Sequence, residues 1–145
     1  MIQLSKTLLH TPTGLILVLY RSATHPHYAG HPDLPGGEAG PSEDPQLAAA
    51  RELQEETGIV IPPAEFQLVK QQSETENLVY LLYQATINSA APLITLSWEH
   101  SRYDWLTPAQ IIIQPPPVNS DTYYEMVLSY LQNPTKPTKT NNLVI

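Results

Sequence analysis

Glu52, Glu55 and Glu56 stand at positions i, i+3 and i+4 of a segment, residues 45–57, that reads as a helix. At about 100° per residue this spacing makes the three carboxylates neighbours on the helix surface. Like charges so placed repel by roughly a few tenths of a kcal/mol per pair. They also lie near the helix C-terminus, the negative end of its dipole. Two locally unfavourable choices in one place are tolerated where a function needs them. A hard divalent cation, which takes oxygen ligands and keeps open positions for water and phosphate, would answer both. The plainer reading is a solvated acidic face. Arg51, spaced to pair with Glu55 or with a residue outside the helix, offsets one charge only.

The elements around these residues are well punctuated. Asp44 is the expected N-cap, Pro45 the first helical residue, and Gly58 the left-handed stop. Leu47, Ala50 and Leu53 fall on one side of the helix and are expected to face a sheet, with the glutamates roughly opposite. Ahead of the helix, Pro35-Gly36-Gly37 offers backbone with no Cβ, which a ligand can approach closely and where a carbonyl can join a metal's ligands.

Gly37, Glu43 six residues on, and Arg51-Glu52-Leu53-Gln54-Glu55-Glu56-Thr57-Gly58-Ile59 together match every defined position of the Nudix box. Leu34-Pro35-Gly36 also looks like the usual entry to that motif. The chain therefore resembles the Nudix hydrolases, in their MutT-like form. The resemblance implies an α+β fold, a mixed curved sheet sandwiched between helices. It implies metal-dependent hydrolysis of a nucleoside diphosphate linked to another group, with Mg²⁺ or Mn²⁺. Carried over by position, Glu52, Glu55 and Glu56 would be metal ligands with the Gly36 carbonyl. Arg51 would orient Glu52, and Glu43 would tie the loop to the helix. The segment 97–105 resembles the region from which some relatives draw a further carboxylate, which makes Glu99 a candidate base or extra ligand beside Glu52. Some Nudix domains bind nucleotides without cleaving them; those typically lose box glutamates, which this chain keeps. The family often dimerises, so a homodimer is an expectation.

In one place the sequence departs from the family: Glu38-Ala39-Gly40-Pro41-Ser42 lacks the later acidic residue and glycine common there, so the loop shape can differ. Downstream of the box, the stretch 73–77 has neither the proline nor the tyrosine that marks ADP-ribose and dinucleoside polyphosphate subgroups, and the coenzyme A signature is missing. A nucleoside triphosphate or a sugar nucleotide is thus the expected substrate. His25, His27 and His31 share a loop but fit no zinc spacing, and read as solvated or substrate-facing. Trp98, Tyr80 and Tyr83 are aromatic faces on which a base could stack, or simply core and rim.

Around this centre the chain reads as strands over 3–10 and 15–21, the second apolar throughout and so expected deep in a sheet. Further strands are expected over 65–72, 77–88 and 102–106, with 92–97 a strand or extended loop. A helical turn is expected near 109–112. A last helix, capped by Ser120 or Asp121, should run to about residue 131, with Tyr124, Val127, Leu128 and Leu131 docked. Pro115-Pro116-Pro117 should make a stiff connector. Residues 1–132 are read as a single domain and 133–145 as a polar tail. The 145 residues hold no cysteine, which excludes disulfides and thiol chemistry and fits a reducing cytoplasm. A net charge of −7 argues against long nucleic acid as a partner. With no membrane span or leader legible, a cytoplasmic enzyme acting on a small nucleotide-type diphosphate is expected.

Overall fold

The computed structural model describes residues 1–90, 92–114 and 122–134. Among these, seven strands form one mixed sheet. The first hairpin joins β1 (Ile2–His10) to β2 (Ile16–Arg21) through a turn in which Gly14 takes a positive φ of 91°. The apolar run predicted to be central is central: β2 is buried along nearly its whole length and pairs with β1, with the short β3 (Pro32–Asp33) and with β7 (His100–Leu106). On its other side β1 runs parallel to β6 (Leu78–Thr86), which pairs antiparallel with β5 (Gln67–Thr75). Near its start β1 also pairs with β4 (Gly36–Glu38), placing the two glycines beside Ser5 and Lys6.

Strand alternation sorts side chains onto two faces. On one, Leu9, Leu17, Leu19, Leu81 and Tyr83 pack with Ala49 and Leu53 of α1 (Pro45–Thr57). On the other, Leu8, Ile16, Val18, Tyr80 and Leu82 pack with Ile111 of α2 (Pro108–Ile112) and with Tyr123, Met126, Val127, Tyr130 and Leu131 of α3 (Thr122–Gln132). The expected layered α+β arrangement of a sheet between helices is present. No helix among the described residues is long and apolar enough to cross a membrane.

Both predicted ends of α1 are built as expected. The Asp44 carboxylate accepts from the Gln46 amide at 2.8 Å, and Gly58, at φ 77°, donates to the Gln54 carbonyl. Its phase differs from the expectation. Leu47 is 50% exposed, while Ala48, Ala49, Leu53 and Glu56 are buried. Periodicity sought a leucine for the sheet-facing stripe, but the helix turns two alanines inward, which lets it sit close, and Glu56 goes with them. The segment 92–97 forms no regular strand. Leu128 of α3 is only partly buried, because Tyr123 and Tyr130 take the inner face. The expected caps Ser120 and Asp121, the Pro115-Pro116-Pro117 connector and the tail beyond residue 134 lie outside the described residues.

Candidate active site

The turn of backbone between β3 and α1 meets the acidic side of the helix with no side chain between them. A Cβ on Gly36 would collide with the Ser5 carbonyl and the Lys6 side chain, so only glycine lets β4 lie this near β1. A Cβ on Gly37 would lie 2.5 Å from the Glu52 carboxylate, which occupies that space. The Gly36 amide donates to Glu56 Oε1 at 2.9 Å. The loop is thus shaped against Glu52 and Glu56 by its two missing side chains.

Arg51 organises the outer half. Its guanidinium makes a two-pronged contact with Glu43, Nε to Oε2 at 2.8 Å and Nη2 to Oε1 at 2.9 Å. Nη1 reaches Glu52 and both oxygens of Glu55 at 3.1 Å, and Nη2 also donates to the Glu38 carbonyl. Glu43 in turn accepts from the Gly40 amide at 2.9 Å. Hydrogen bonds from Arg51 and Gly40 hold Glu43 down at about pKa 2, and Glu43 in return keeps Arg51 firmly charged. Both partners foreseen for Arg51, Glu55 and a group outside the helix, are used at once.

The inner half is electrostatically different. Burial pushes Glu56 up to about 8, against the pull of the Lys6 charge and the Gly36 amide. Burial also raises Glu52, with Arg51 opposing and Glu55 and Glu99 adding to the rise. His100, buried at the start of β7, sets Nδ1 3.5 Å from Glu56 Oε2 without a hydrogen bond; burial drops it to about 4.

Glu99 joins these groups through the backbone. The amides of Thr95 and Ser97 donate to the carbonyls of Thr57 and Glu56, which pins the segment after β6 to the open end of α1. The Glu99 carbonyl accepts from the Ser22 amide at 2.8 Å, bringing the loop 22–31 alongside. In that loop His25 is partly buried, sets Nε2 3.8 Å from Glu99 Oε2 and stacks on Trp98 at 6.3 Å between ring centroids. Burial and the Arg21 charge lower its pKa. His25 therefore meets the carboxylate region, whereas His27 is exposed. Of the aromatics, Trp98 is 69% exposed at the rim, but Tyr80 and Tyr83 are core residues at 7% and 3% and offer no free face.

Sequence reading missed a second charged cluster just behind the glycine turn. Asp33 accepts from Lys6 Nζ at 3.1 and 3.2 Å, from Arg21 Nη2 at 2.7 Å and Nε at 3.2 Å, from the Leu34 amide at 2.8 Å and from the Tyr123 hydroxyl. Burial works against its ionisation, but Lys6 and Arg21 hold the carboxyl well below the usual range. The signal was a lysine at an inward position of a strand, flanked by Leu4 and Leu8 on the same face.

Among the described residues no three His, Asp or Glu side chains already converge as a metal cage. Arg51 draws Glu52 and Glu55 outward while the Gly36 amide holds Glu56. The donor chemistry nonetheless fits a hard cation: an all-oxygen set of carboxylates, one of them, Glu56, pushed toward protonation by burial that the Lys6 charge and the Gly36 amide only partly offset.

The NUDIX domain model matches residues 7–128. No curated protein sequence matches the chain. Among solved structures, the MutT protein of Methanosarcina mazei Go1 is similar at TM-score 0.70 and 25% identity, over 90% of this chain and 92% of that one. The MutT NUDIX hydrolase of Burkholderia pseudomallei is similar at 0.62 and 25%, over 88% and 95%. The NUDIX domain of Shewanella oneidensis NrtR, solved with ADP ribose, shares the fold at 0.67 and 18%, over 90% and 85%.

Proposed function

The chain belongs to the Nudix hydrolase family, whose members act on nucleoside diphosphate derivatives and generally use divalent metal ions, and we propose that it hydrolyses a nucleoside triphosphate or a sugar nucleotide. The observation that carries this reading is the meeting of bare Gly36-Gly37 backbone with the Glu52 and Glu56 carboxylates, braced by Arg51 and Glu43. In this reading Glu52, Glu55, Glu56 and the Gly36 carbonyl hold Mg²⁺ or Mn²⁺. When bound, that ion supplies charge neutralisation at phosphate oxygens and a lowered pKa for water.

The chain's own groups do the rest. Arg51 fixes the directions of Glu52 and Glu55 through charge-assisted hydrogen bonds and is itself anchored by Glu43. The glycine pair lets the loop backbone lie directly against β1 and against the Glu52 carboxylate. Glu52 or Glu99 accepts the proton of a water whose oxygen attacks phosphorus, and the phosphoanhydride P–O bond breaks to give two phosphate products. Residues 1–132 act as one domain in this reading. The protein works in the cytoplasm, on a small nucleotide-type diphosphate and not on long nucleic acid.

The test is release of nucleotide and its phosphorylated co-product, resolved by chromatography (pyrophosphate from a triphosphate, sugar phosphate from a sugar nucleotide), from nucleoside triphosphates (oxidised forms included), sugar nucleotides, ADP-ribose and dinucleoside polyphosphates, each with Mg²⁺, Mn²⁺ or chelator. Metal-dependent release from the first two classes is expected. Release from the others alone would move the substrate assignment. No release from any, with tight binding of one, would make the protein a non-catalytic nucleotide-binding domain.

A further inference from the structure

We propose that His25 is a positioning residue for Glu99, held by its loop so that the Nε2–H faces that carboxylate. The inference rests on the reading of Glu99 as a site carboxylate given above. Three contacts restrain one imidazole ring. The His27 amide donates to His25 Nδ1 at 3.1 Å, so Nδ1 is the acceptor and the proton of the neutral ring belongs on Nε2. The ring lies at 26° to the Trp98 indole, which fixes its plane. Nε2 then stands 3.8 Å from Glu99 Oε2. That is the separation of facing partners, not of a formed hydrogen bond. Glu99, with 39% of its side chain exposed, needs only a small rotation to close it.

The loop that presents His25 is anchored at both ends to the site. Arg21 donates to the His27 carbonyl at 2.9 Å with the same guanidinium that binds Asp33. The Ser22 amide donates to the Glu99 carbonyl, and the His25 amide to the Ser22 carbonyl. Trp98 and Glu99 are adjacent in sequence, so the surface that orients the ring and the group the ring faces move together. Of the loop histidines, His25 thus has a defined job: restricting the directions open to a carboxylate that would otherwise swing in solvent.

Two measurements test this. In wild-type protein, ¹⁵N spectra of the histidine rings should show His25 as the Nε2–H tautomer, with that resonance moving in Glu99→Gln. An Nδ1–H tautomer, or no response to Glu99→Gln, overturns the geometry whether or not the protein proves to be a hydrolase. On a substrate turned over by the wild type, His25→Ala and His25→Phe should each lower kcat about tenfold with little change in KM, while His25→Gln, which keeps an N–H in reach, recovers most of it. His25→Phe retains the stack on Trp98, so it separates loss of the donor from loss of packing. In a Glu99→Gln background the His25→Ala loss should vanish. Wild-type kcat in His25→Phe, or an unchanged loss in the Glu99→Gln background, overturns the proposal. Absence of any wild-type turnover instead defeats the functional reading and leaves the tautomer measurement to decide this one.

Discussion

Two buried carboxylates, Asp33 and Glu56, sit on either side of the glycine turn and are treated in opposite ways. Asp33, 6% exposed, receives two cationic side chains, a tyrosine hydroxyl and an amide. Glu56, 2% exposed, receives one amide and the proximity of a histidine held neutral by burial. The first is held well below the ordinary carboxylate range and the second is pushed up to about 8. Burying a charge is expensive unless it is paired, so the pairing at Asp33 marks a group that stays ionised as part of the structure. The shortfall at Glu56 suits a group that takes its counter-charge from solution. Among the described residues, Lys6 from β1 and Arg21 from the end of β2 both pair with Asp33, while Glu56 is held by the Gly36 amide.

The sharpest way to break this contrast is Asp33→Ala. It would leave a buried Lys6 and a half-buried Arg21 side by side without their counter-charge, at a cost of about 3–5 kcal/mol by urea unfolding. A loss under about 1 kcal/mol would put Asp33 among weak surface pairs and end the distinction. The acid limb carries the same test with a defined sign. The folded pKa of Asp33 is depressed, so its contribution is present above the usual carboxylate value and is lost as pH falls below it. Wild-type stability should therefore drop in that range, and Asp33→Asn should drop less.

Glu56→Gln probes the other member of the pair. With ligand charge removed, kcat should fall by about a hundredfold or more at saturating Mg²⁺, about 2.7 kcal/mol in barrier. Stability of the chelated protein should hold or improve, because Gln can still accept from Gly36 and no longer buries an under-paired charge. Activity near wild type, or a stability loss like that of Asp33→Ala, would make Glu56 a structural group. Arg51→Lys should have a smaller effect, about tenfold in kcat, since a point charge cannot span Glu43, Glu52 and Glu55 together. Unchanged kinetics would show that the carboxylates need no such brace.

The two regions were not equally legible. The acidic side was visible because its residues are local: a box of fixed spacing, a glycine pair and a capped helix lie within one stretch of chain. The Asp33 cluster draws Lys6, Arg21 and Tyr123 from three distant elements, and only folding makes them neighbours. Likewise the contact between His25 and Glu99 depends on the Ser22 amide meeting the Glu99 carbonyl, a long-range pairing with no local signature. Tyr80 and Tyr83 were ambiguous because aromatic content alone cannot distinguish a stacking platform from a core residue; strand position in the sheet decides it.

The phase of α1 gives the smallest expected effect and tests the placement of Glu56 itself. If Leu47 faced the sheet, as apolar periodicity suggests, truncating it would open a cavity and cost roughly 2–5 kcal/mol. In the structure Leu47 is 50% exposed and lies away from the buried stripe of Ala48, Ala49, Leu53 and Glu56. Leu47→Ala should then change stability by no more than about 0.5 kcal/mol, because a surface helix position loses little packing and alanine is the better helix former. A large loss would rotate the helix, carrying Glu56 out of the interior and removing its contrast with Asp33. A negligible one, alongside the Glu56→Gln result, fixes the glutamate on the inward side, where its charge has to be met by something other than water.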